Sequence, residues 1–286
     1  MTITLDIDTG GTFTDGFVVR DGEPHAVKVL TTPHDLAVCF AAVIEAAAAA
    51  LDMDVPAMLA ETTAVRYATT VGTNAVIQRN GPRLGLLTDS EEAGAEASFL
   101  LDPGMKRLIP ASAPGPDGNG SGPGATAAAR ELLEASARGL VCSMSTAEAE
   151  LAVGEEFREH YPRQCLDTVP LVLAGELTSE TDERRRAATA LLNAYLHPAV
   201  AEYYYRAEDH LRDNGYRRPL LVVHNDGGCA RVAKTIAAKT YNSGPTAGAA
   251  GAAAIARALG IETLVTVDMG GTSLDVTVIR GGEAPV

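Results

Sequence analysis

The alternation of apolar and polar residues predicts a chain in which strands and helices follow one another. "ITLDIDTGG" alternates and ends at paired glycines, and "FTDGFVVRDGEPHAVKVLTT" continues as two more strands around a turn at Asp21 and Gly22. These stretches predict an antiparallel meander of three strands. The alanine-rich stretch that follows predicts a helix over residues 33–52, with Asp35 as its N-cap.

The same patterns continue to the other end of the chain. "VRYATTVGTNAVIQRNGPRLGLLTD" predicts a strand, a turn, a helix start and a second strand, and "ATAAARELLEASARGLVCSMS" predicts a helix followed by a strand. "PLVLAGEL" predicts a strand, and residues 178–213 predict helix apart from Pro198. "RPLLVVHNDGG" predicts a strand and loop, "GPTAGAAGAAAIARALG" a helix and "ETLVTVDMGGTSLDVTVIRGGE" a β-hairpin. The predicted fold class is therefore α/β.

One segment departs from these patterns. Residues 112–124 read "SAPGPDGNGSGPG", with abundant Pro, Gly and Ser and no apolar side chain larger than Ala. Such a segment buries too little apolar surface to offset the entropy lost on ordering. We expect a flexible loop here.

A glycine-rich phrase occurs twice, 260 residues apart. Aligning Asp8 with Asp268 gives nine identical residues in the sixteen positions from Asp8 to Glu23, in the pattern D-x-G-G-T-x-x-D-x-x-V-x-R-x-G-E. Each copy follows a predicted strand. Neither copy is a P-loop, because a P-loop ends in Lys followed by Ser or Thr and both copies lack that ending. Neither copy is a dinucleotide-binding fingerprint, because that motif needs a helix directly after its glycines.

The residue types in the phrase suit phosphate chemistry. Paired glycines let the backbone turn tightly and approach a ligand, and the hydroxyl and N–H groups that follow can bond phosphate oxygens. An Asp beside such a loop can hold Mg²⁺, usually through water. Two facing copies would hold one polyphosphate from two sides; the alternative is a pair of hairpins with ordinary turns. The candidate phosphate-binding residues are Gly10, Gly11, Thr12, Thr14, Gly270, Gly271, Thr272 and Ser273, and the candidate metal-holding and catalytic residues are Asp8 and Asp268.

Composition restricts the function classes. The chain has 286 residues, 46% hydrophobic, which allows one large domain or two modest ones. A net charge of −14 argues against non-specific nucleic-acid binding, which needs clustered Lys and Arg. The longest apolar stretch is too short and too alanine-rich for a membrane span, and no signal-peptide pattern is present, so we expect a cytoplasmic protein. The four cysteines show no C-x-x-C spacing, and we expect them mostly to fill the core.

The doubled phrase resembles the phosphate-1 and phosphate-2 loops of the actin, sugar-kinase and heat-shock-chaperone ATPases. One branch is closer: the chain resembles the hydantoinase/oxoprolinase family over nearly its whole length. The motifs are "DIDTGGTFTD", "KVLTTP", "ATTVGTNAVIQRNGPRLGLLTD", "LLNAYLHPAV", "NDGG", "SGPTAGAAGA" and "DMGGTSLDV", in the order that the family has them. The family includes ATP-dependent hydantoinases, 5-oxoprolinases and subunits of acetone and acetophenone carboxylases.

The resemblance implies a ribonuclease-H-like fold of the actin/sugar-kinase type. It implies a first lobe over residues 1–200 with the phosphate-1 loop, and the start of a second lobe over residues 201–286 with the phosphate-2 loop. Family chains continue beyond that loop with an adenosine-binding segment. We therefore expect this chain to be a fragment or one part of a split enzyme, and to be inactive alone.

The resemblance also implies a reaction. ATP and Mg²⁺ would serve to phosphorylate the carbonyl oxygen of a cyclic amide, such as a hydantoin or 5-oxoproline, which is then hydrolysed. One alternative is a subunit of an ATP-dependent ketone carboxylase, which the segment "TTPHDLAVCF" resembles more closely; another is a non-catalytic ATP-binding assembly subunit. The expected partners are a small cyclic amide or ketone and a second subunit of the hydantoinase-B or carboxylase type, with no nucleic acid or membrane.

Further polar residues are candidates for the substrate cleft. They lie in "TTVGTNAV", at a predicted helix start, and in "NDGG", after a predicted strand, where α/β sheets bind their ligands. Helix capping and turn formation would explain the same residue types. The candidates are Thr70, Thr73, Asn74, Asn225 and Asp226.

Overall fold

The structure is a computed structural model that describes residues 2–110, 124–166, 168–269 and 274–284. The four phosphate-2 candidates, residues 270–273, lie outside the described residues, and so does the predicted loop, apart from Gly124. The strands are β1 (Ile3–Thr9), β2 (Phe13–Arg20), β3 (Glu23–Leu30), β4 (Thr62–Thr69), β5 (Leu84–Thr88), β6 (Lys106–Leu108), β7 (Gly139–Ser143), β8 (Leu171–Leu173), β9 (Leu220–Val223), β10 (Cys229–Arg231), β11 (Thr263–Met269) and β12 (Leu274–Arg280). The helices are α1 (Leu36–Ala50), α2 (Val55–Glu61), α3 (Val71–Gln78), α4 (Ala125–Glu134), α5 (Ala147–His160), α6 (Glu183–Asp213) and α7 (Ser243–Leu259).

The chain forms two compact units. The first contains residues 1–74, 199–235 and 239–286, and the second contains residues 75–198 and 236–238. The division falls at Pro198, inside α6, which is helical on both sides of this residue. The expected interruption of helix at Pro198 was therefore wrong, although the residue lacks the N–H that would continue the helical hydrogen bonds.

The first unit is built on a six-stranded sheet with the order β10-β9-β4-β1-β2-β3. Strands β1, β2 and β3 form the predicted antiparallel meander, and β1, β4 and β9 are mutually parallel. The alternation along β1 buries Ile3, Leu5 and Ile7. Helix α1 packs on this face, and Asp35 caps it as predicted, accepting a hydrogen bond from the Ala37 N–H at 3.1 Å.

The first unit also contains a separate two-stranded sheet, β11–β12. One face of this hairpin packs on α7, where Ile279, Ala253 and Ala256 are buried together. The hairpin is the one predicted from the second copy of the repeated phrase.

The second unit is built on a four-stranded parallel sheet with the order β6-β5-β7-β8. Its two central strands, β5 and β7, are short and buried at every position, as expected for a parallel sheet covered by helices. Side chains of β5 and β7 pack with α4 and α5 in one apolar cluster that includes Leu87, Leu132, Leu140 and Phe157.

The four cysteines divide into two buried and two exposed residues, and the helices were also tested for membrane spans. Cys39 and Cys142 are buried as expected, but Cys165 and Cys229 are exposed, so the expectation that most of the cysteines fill the core was wrong. Within the described ranges, no single helix is long and apolar enough to cross a membrane; only α1 and α2, bent by 84° at their junction, pass that test as a pair.

Candidate functional site

The candidate phosphate-1 loop, residues 10–12, connects β1 to β2, and hydrogen bonds to its backbone hold it in place. The Gly10 N–H donates to the Phe13 carbonyl at 3.0 Å, and the Thr31 hydroxyl donates to the Gly10 carbonyl at 2.9 Å. A Cβ on Gly10 would lie only 3.2 Å from the Phe13 oxygen, so a side chain here would force the backbone of the turn to shift. Gly11 and Thr12 are exposed, which leaves their polar groups open to a ligand.

Thr14 does not face solvent. Its side chain is 0% exposed, and its hydroxyl contacts those of Thr9 at 3.4 Å and Thr31 at 3.1 Å. The expectation that its hydroxyl bonds phosphate is therefore corrected: Thr14 supports the loop from inside. The alternation of β2 could have predicted this burial, because Thr14, Gly16 and Val18 lie on the same face of the strand.

Asp8 lies beside the loop and opposite Asp15 on the neighbouring strand. Asp15 in turn forms an ion pair with Lys28 on β3. Asp8 reaches solvent, but the protein around it removes much of the bulk water. This desolvation, together with the negative charges of Asp15 and Asp268, raises the pKa of Asp8 to about 6, while Lys28 acts in the opposite direction.

Because Asp268 contributes to the raised pKa of Asp8, the aspartates of the two copies of the phrase interact electrostatically. The copies also share their strand register. Asp8 pairs with Asp15 and Ile3 with Arg20, and at an offset of 260 Asp268 pairs with Asp275 and Thr263 with Arg280. The repeat in sequence is therefore a repeat of local structure.

The substrate-cleft candidates lie at the carboxyl edge of the same sheet as Asp8. Thr70 follows β4, and both its N–H and its hydroxyl donate to the Thr9 carbonyl, at 3.0 and 3.2 Å. Asn74 lies one helical turn later, and its amide contacts the Thr70 hydroxyl at 3.4 Å. Thr73 contacts Asn242, just before α7, at 3.4 Å.

Asn225 and Asp226 follow β9 at this edge, but their known contacts are those of a turn. The Asn225 N–H donates to the Lys239 carbonyl at 2.7 Å. Asp226 pairs with Lys239 at 2.8 Å and accepts from the Gly228 N–H at 3.0 Å, and hydrogen bonding to Lys239 lowers its pKa. Both residues also line a cavity of about 500 Å³ between this turn, α7 and β12.

Sequence reasoning missed the N-terminus of α7 as part of the site. A Cβ on Gly244 would lie 3.4 Å from an Asp8 carboxylate oxygen, so the helix begins directly beside that carboxylate. Ser243, the first helical residue, is fully buried. The turn-and-small-residue pattern "NSGPTAG" predicts a helix start, but the approach of that helix to β1 depends on tertiary packing.

The chemistry of the donor set fits a cation. Asp15 and Asp268 both raise the pKa of Asp8 by charge repulsion, which a bound cation would relieve. Among the described residues, no three His, Cys, Asp or Glu side chains form a ready-made metal cluster.

Comparison with known proteins gives consistent relatives. The hydantoinase/oxoprolinase N-terminal region matches residues 4–93, and the hydantoinase/oxoprolinase domain matches residues 186–286. The acetophenone carboxylase gamma subunit of Aromatoleum aromaticum is 34% identical over 96% of this chain and 42% of its own length. Caprolactamase subunit alpha of Pseudomonas jessenii is 28% identical over 98% of this chain and 44% of its own length.

The fold has a solved counterpart. A nucleotide-free acetone carboxylase structure superposes with a TM-score of 0.79 at 24% identity, over 98% of this chain and 44% of that chain. The chain thus spans less than half the length of the relatives that it matches. Because the two matched domains cover more than half of its residues, the chain belongs to the hydantoinase/oxoprolinase family.

Proposed function

We propose that the chain supplies the phosphate-binding part of an ATP-dependent enzyme that phosphorylates a carbonyl oxygen. The observation that carries this proposal is the repeated Asp-x-Gly-Gly-Thr phrase, whose two hairpins share one register and whose aspartates interact. In this proposal the fold is of the ribonuclease-H-like, actin/sugar-kinase type. Residues 1–200 form the first lobe and residues 201–286 begin the second.

The proposed substrate is a cyclic amide such as a hydantoin or 5-oxoproline, whose ring is opened by hydrolysis. A caprolactamase subunit among the relatives supports this class. The second candidate is a subunit of an ATP-dependent ketone carboxylase, which the 34% identity to an acetophenone carboxylase subunit favours. Both share carbonyl activation by ATP. We place the enzyme in the cytoplasm, with a partner subunit of the hydantoinase-B or carboxylase type.

The residues divide the work as follows. Asp8 and Asp268 hold Mg²⁺, in part through water, and the backbone N–H groups of Gly10, Gly11 and Thr12 bind phosphate oxygens. Gly270, Gly271, Thr272 and Ser273 do the same from the second hairpin. When bound, Mg-ATP supplies the phosphoryl group and neutralises its charge, so these residues act by positioning and electrostatics.

Thr70, Thr73 and Asn74 have a different proposed role. They border the loop at the carboxyl edge, where a carbonyl substrate has to approach the phosphoryl group. Their hydroxyl and amide groups orient that substrate. Asn225 and Asp226 belong to the same edge and shape the cleft through the turn they form.

Transfer of ¹⁸O tests the proposal on the full assembly. A cyclic amide labelled at its carbonyl is incubated with Mg-ATP, and the released phosphate is analysed by mass spectrometry. Phosphorylation of the carbonyl oxygen followed by hydrolysis at carbon places the label in phosphate. Substrate-dependent phosphate release without label would contradict the mechanism for amides. Ketone- and bicarbonate-dependent turnover would select the carboxylase alternative, and nucleotide-dependent assembly without turnover would select a non-catalytic subunit.

A further inference from the structure

A basic cleft lies at the other edge of the six-stranded sheet. It has a volume of about 490 Å³ and is lined by five cationic side chains and a single carboxylate. The cations come from the end of α6, from the segment before β9 and from the segment that begins at the end of β10: Arg212, Arg217, Arg218, Arg231 and Lys234. Because β9 runs parallel to β1, this amino edge is opposite the edge that carries Asp8.

The concentration of positive charge is unusual for this chain. The whole chain has 23 Lys and Arg against 37 Asp and Glu, yet here cations outnumber carboxylates by five to one. The one carboxylate, Glu208, is already engaged: it pairs with Arg212 at 3.4 Å and accepts from the Leu220 N–H at 3.3 Å. Like charges gathered without counter-charges destabilise a fold, so an anion bound among them would be stabilising.

Four of the cations have no carboxylate partner among the described residues. Arg217, Arg218, Arg231 and Lys234 are all exposed, whereas Arg212 pairs with Asp209 at 2.7 Å as well as with Glu208. Their free guanidinium and ammonium groups are donors, and guanidinium groups match the oxygens of phosphate and carboxylate in pairs.

A buried tyrosine anchors the segment beneath these side chains through hydrogen bonds. Tyr216 is buried, and its hydroxyl accepts a hydrogen bond from the Val65 N–H at 3.0 Å while contacting the Pro219 carbonyl at 3.4 Å. This fixes the segment that carries Arg217 and Arg218 against β4. The cations therefore surround a defined concave volume, which suits a small ligand better than a flat protein surface.

We propose that this cleft binds a small polyanion carrying two or more phosphate groups. The site is separate from the phosphate loops in position and in chemistry, because it uses side-chain cations where the loops use backbone N–H groups and carboxylates. A polyanion bound here contacts α6, β9 and β10 together, so it ties the edge of the sheet to the long helix.

Calorimetric titration of the 286-residue chain with inorganic pyrophosphate, in metal-free buffer, tests the proposal. Passing the buffer over a chelating resin removes the cation on which phosphate binding beside Asp8 depends, without adding a soluble polycarboxylate that could enter the cleft. The double variant Arg217→Gln/Arg218→Gln should weaken binding by at least ~10-fold, since each lost charge-assisted contact contributes to affinity. The matched control Arg138→Gln/Arg163→Gln removes two exposed arginines elsewhere and should bind like the unchanged chain.

The outcomes separate the proposal from its competitors. Absence of pyrophosphate binding to the unchanged chain, or equal affinity in the cleft variant, would overturn it. So would tight binding of a hexaglutamate peptide without binding of pyrophosphate, which would indicate an acidic protein partner. If the first variant does not fold, Arg231→Gln/Lys234→Gln removes two cations from a different element, and the same loss of affinity is expected.

Discussion

The two hairpins built from the repeated phrase share a register but differ in burial. In β1–β2, Leu5, Ile7 and Val18 are at most 3% exposed. At an offset of 260 their equivalents on β11–β12 are exposed by 54%, 65% and 41%. Six apolar residues are exposed on the outer face of that hairpin: Val265, Val267, Met269, Leu274, Val276 and Val278. Two hairpins with the same sequence pattern therefore differ in burial: one contributes to the core, and the other has an exposed apolar face.

Helix α1 makes the difference in the first hairpin. Its buried residues pack on the sheet, and Gly16 allows that approach, because a Cβ there would lie 2.7 Å from Val43. The equivalent of Gly16 in the second hairpin is Val276. An element covering the second hairpin would therefore have to lie further out than α1 does on the first. Local pattern determines a hairpin, and a third element decides which face becomes core.

The largest expected effect is a difference in the free energy of unfolding between substitutions on the buried face of the first hairpin and on the exposed face of the second. Ile7→Ala should reduce the free energy of unfolding by ~3 kcal/mol, because it removes buried methyl groups and leaves a cavity. Val267→Ala, at the equivalent exposed position, should change it by less than ~0.5 kcal/mol. Urea denaturation of the isolated chain measures both. A cost above ~2 kcal/mol for Val267→Ala would mean that the outer face is covered in solution.

The second comparison concerns the two aspartates. In the full assembly, Asp268→Asn and Asp8→Asn should each lower kcat by at least ~100-fold, about 2.7 kcal/mol, by removing a charge from the proposed Mg²⁺ site. KM for ATP should change much less, because the loop N–H groups remain. Asp275→Asn is the control and should matter less. ATP consumption with the cognate cyclic amide or ketone is the measurement; kcat near that of the unchanged enzyme in both variants would remove the metal-holding role.

The third comparison exchanges the residue at the helix contact. Gly16→Val places a side chain against Val43 and Val27, both within 2.8 Å of the new Cβ, and overpacking of this kind costs ~2 kcal/mol. The reverse exchange on the second hairpin, Val276→Gly, removes an exposed side chain and should cost no more than ~1 kcal/mol. Thermal unfolding of the two variants provides the test, and equal losses would contradict the assigned role of α1.

The sequence predicted many of the elements and few of the contacts between them. The N-terminal meander, the N-cap at Asp35 and the second hairpin follow from periodicity and turn chemistry, which act over a few residues. Helices α2 and α5 and strands β6 and β10 were not predicted. The predicted interruption of the helix at Pro198 was wrong, because packing can hold a helix together where local propensity opposes it. Exposure of Cys165 and Cys229 was missed for a related reason, since residue type sets only an average burial.

For the candidate site, the sequence placed Asp8 and the cleft candidates at the ends of strands or the start of a helix, and the structure brings them to one edge of a sheet. The sequence assigned Thr14 a ligand role that its burial excludes, although strand parity pointed inward. The start of α7 beside Asp8 and the basic cleft around Arg217 join segments far apart in the chain. Neither is visible in a sequence window, because each depends on how helices pack on the sheet.

The smallest expected effect concerns the ionisation of Asp8. Its folded pKa of about 6 exceeds the ordinary value of 3.8, so the folded chain holds a proton that the unfolded chain has released. The contribution of Asp8 to stability therefore falls as pH rises from about 4 to about 6 and stays low above that range.

Asp8→Asn should consequently stabilise the isolated, metal-free chain at pH 8, by about 1 kcal/mol once solvent screening of this accessible group is allowed for. At pH 4 the two proteins should be nearly equal, because Asp8 is then protonated when folded. Urea denaturation at both pH values, with Asp52→Asn as a control at an exposed turn, measures the difference. A variant less stable than the unchanged chain at pH 8 would show that Asp8 is held by favourable partners. The interpretation that the ionised form of Asp8 destabilises the first hairpin would then be wrong.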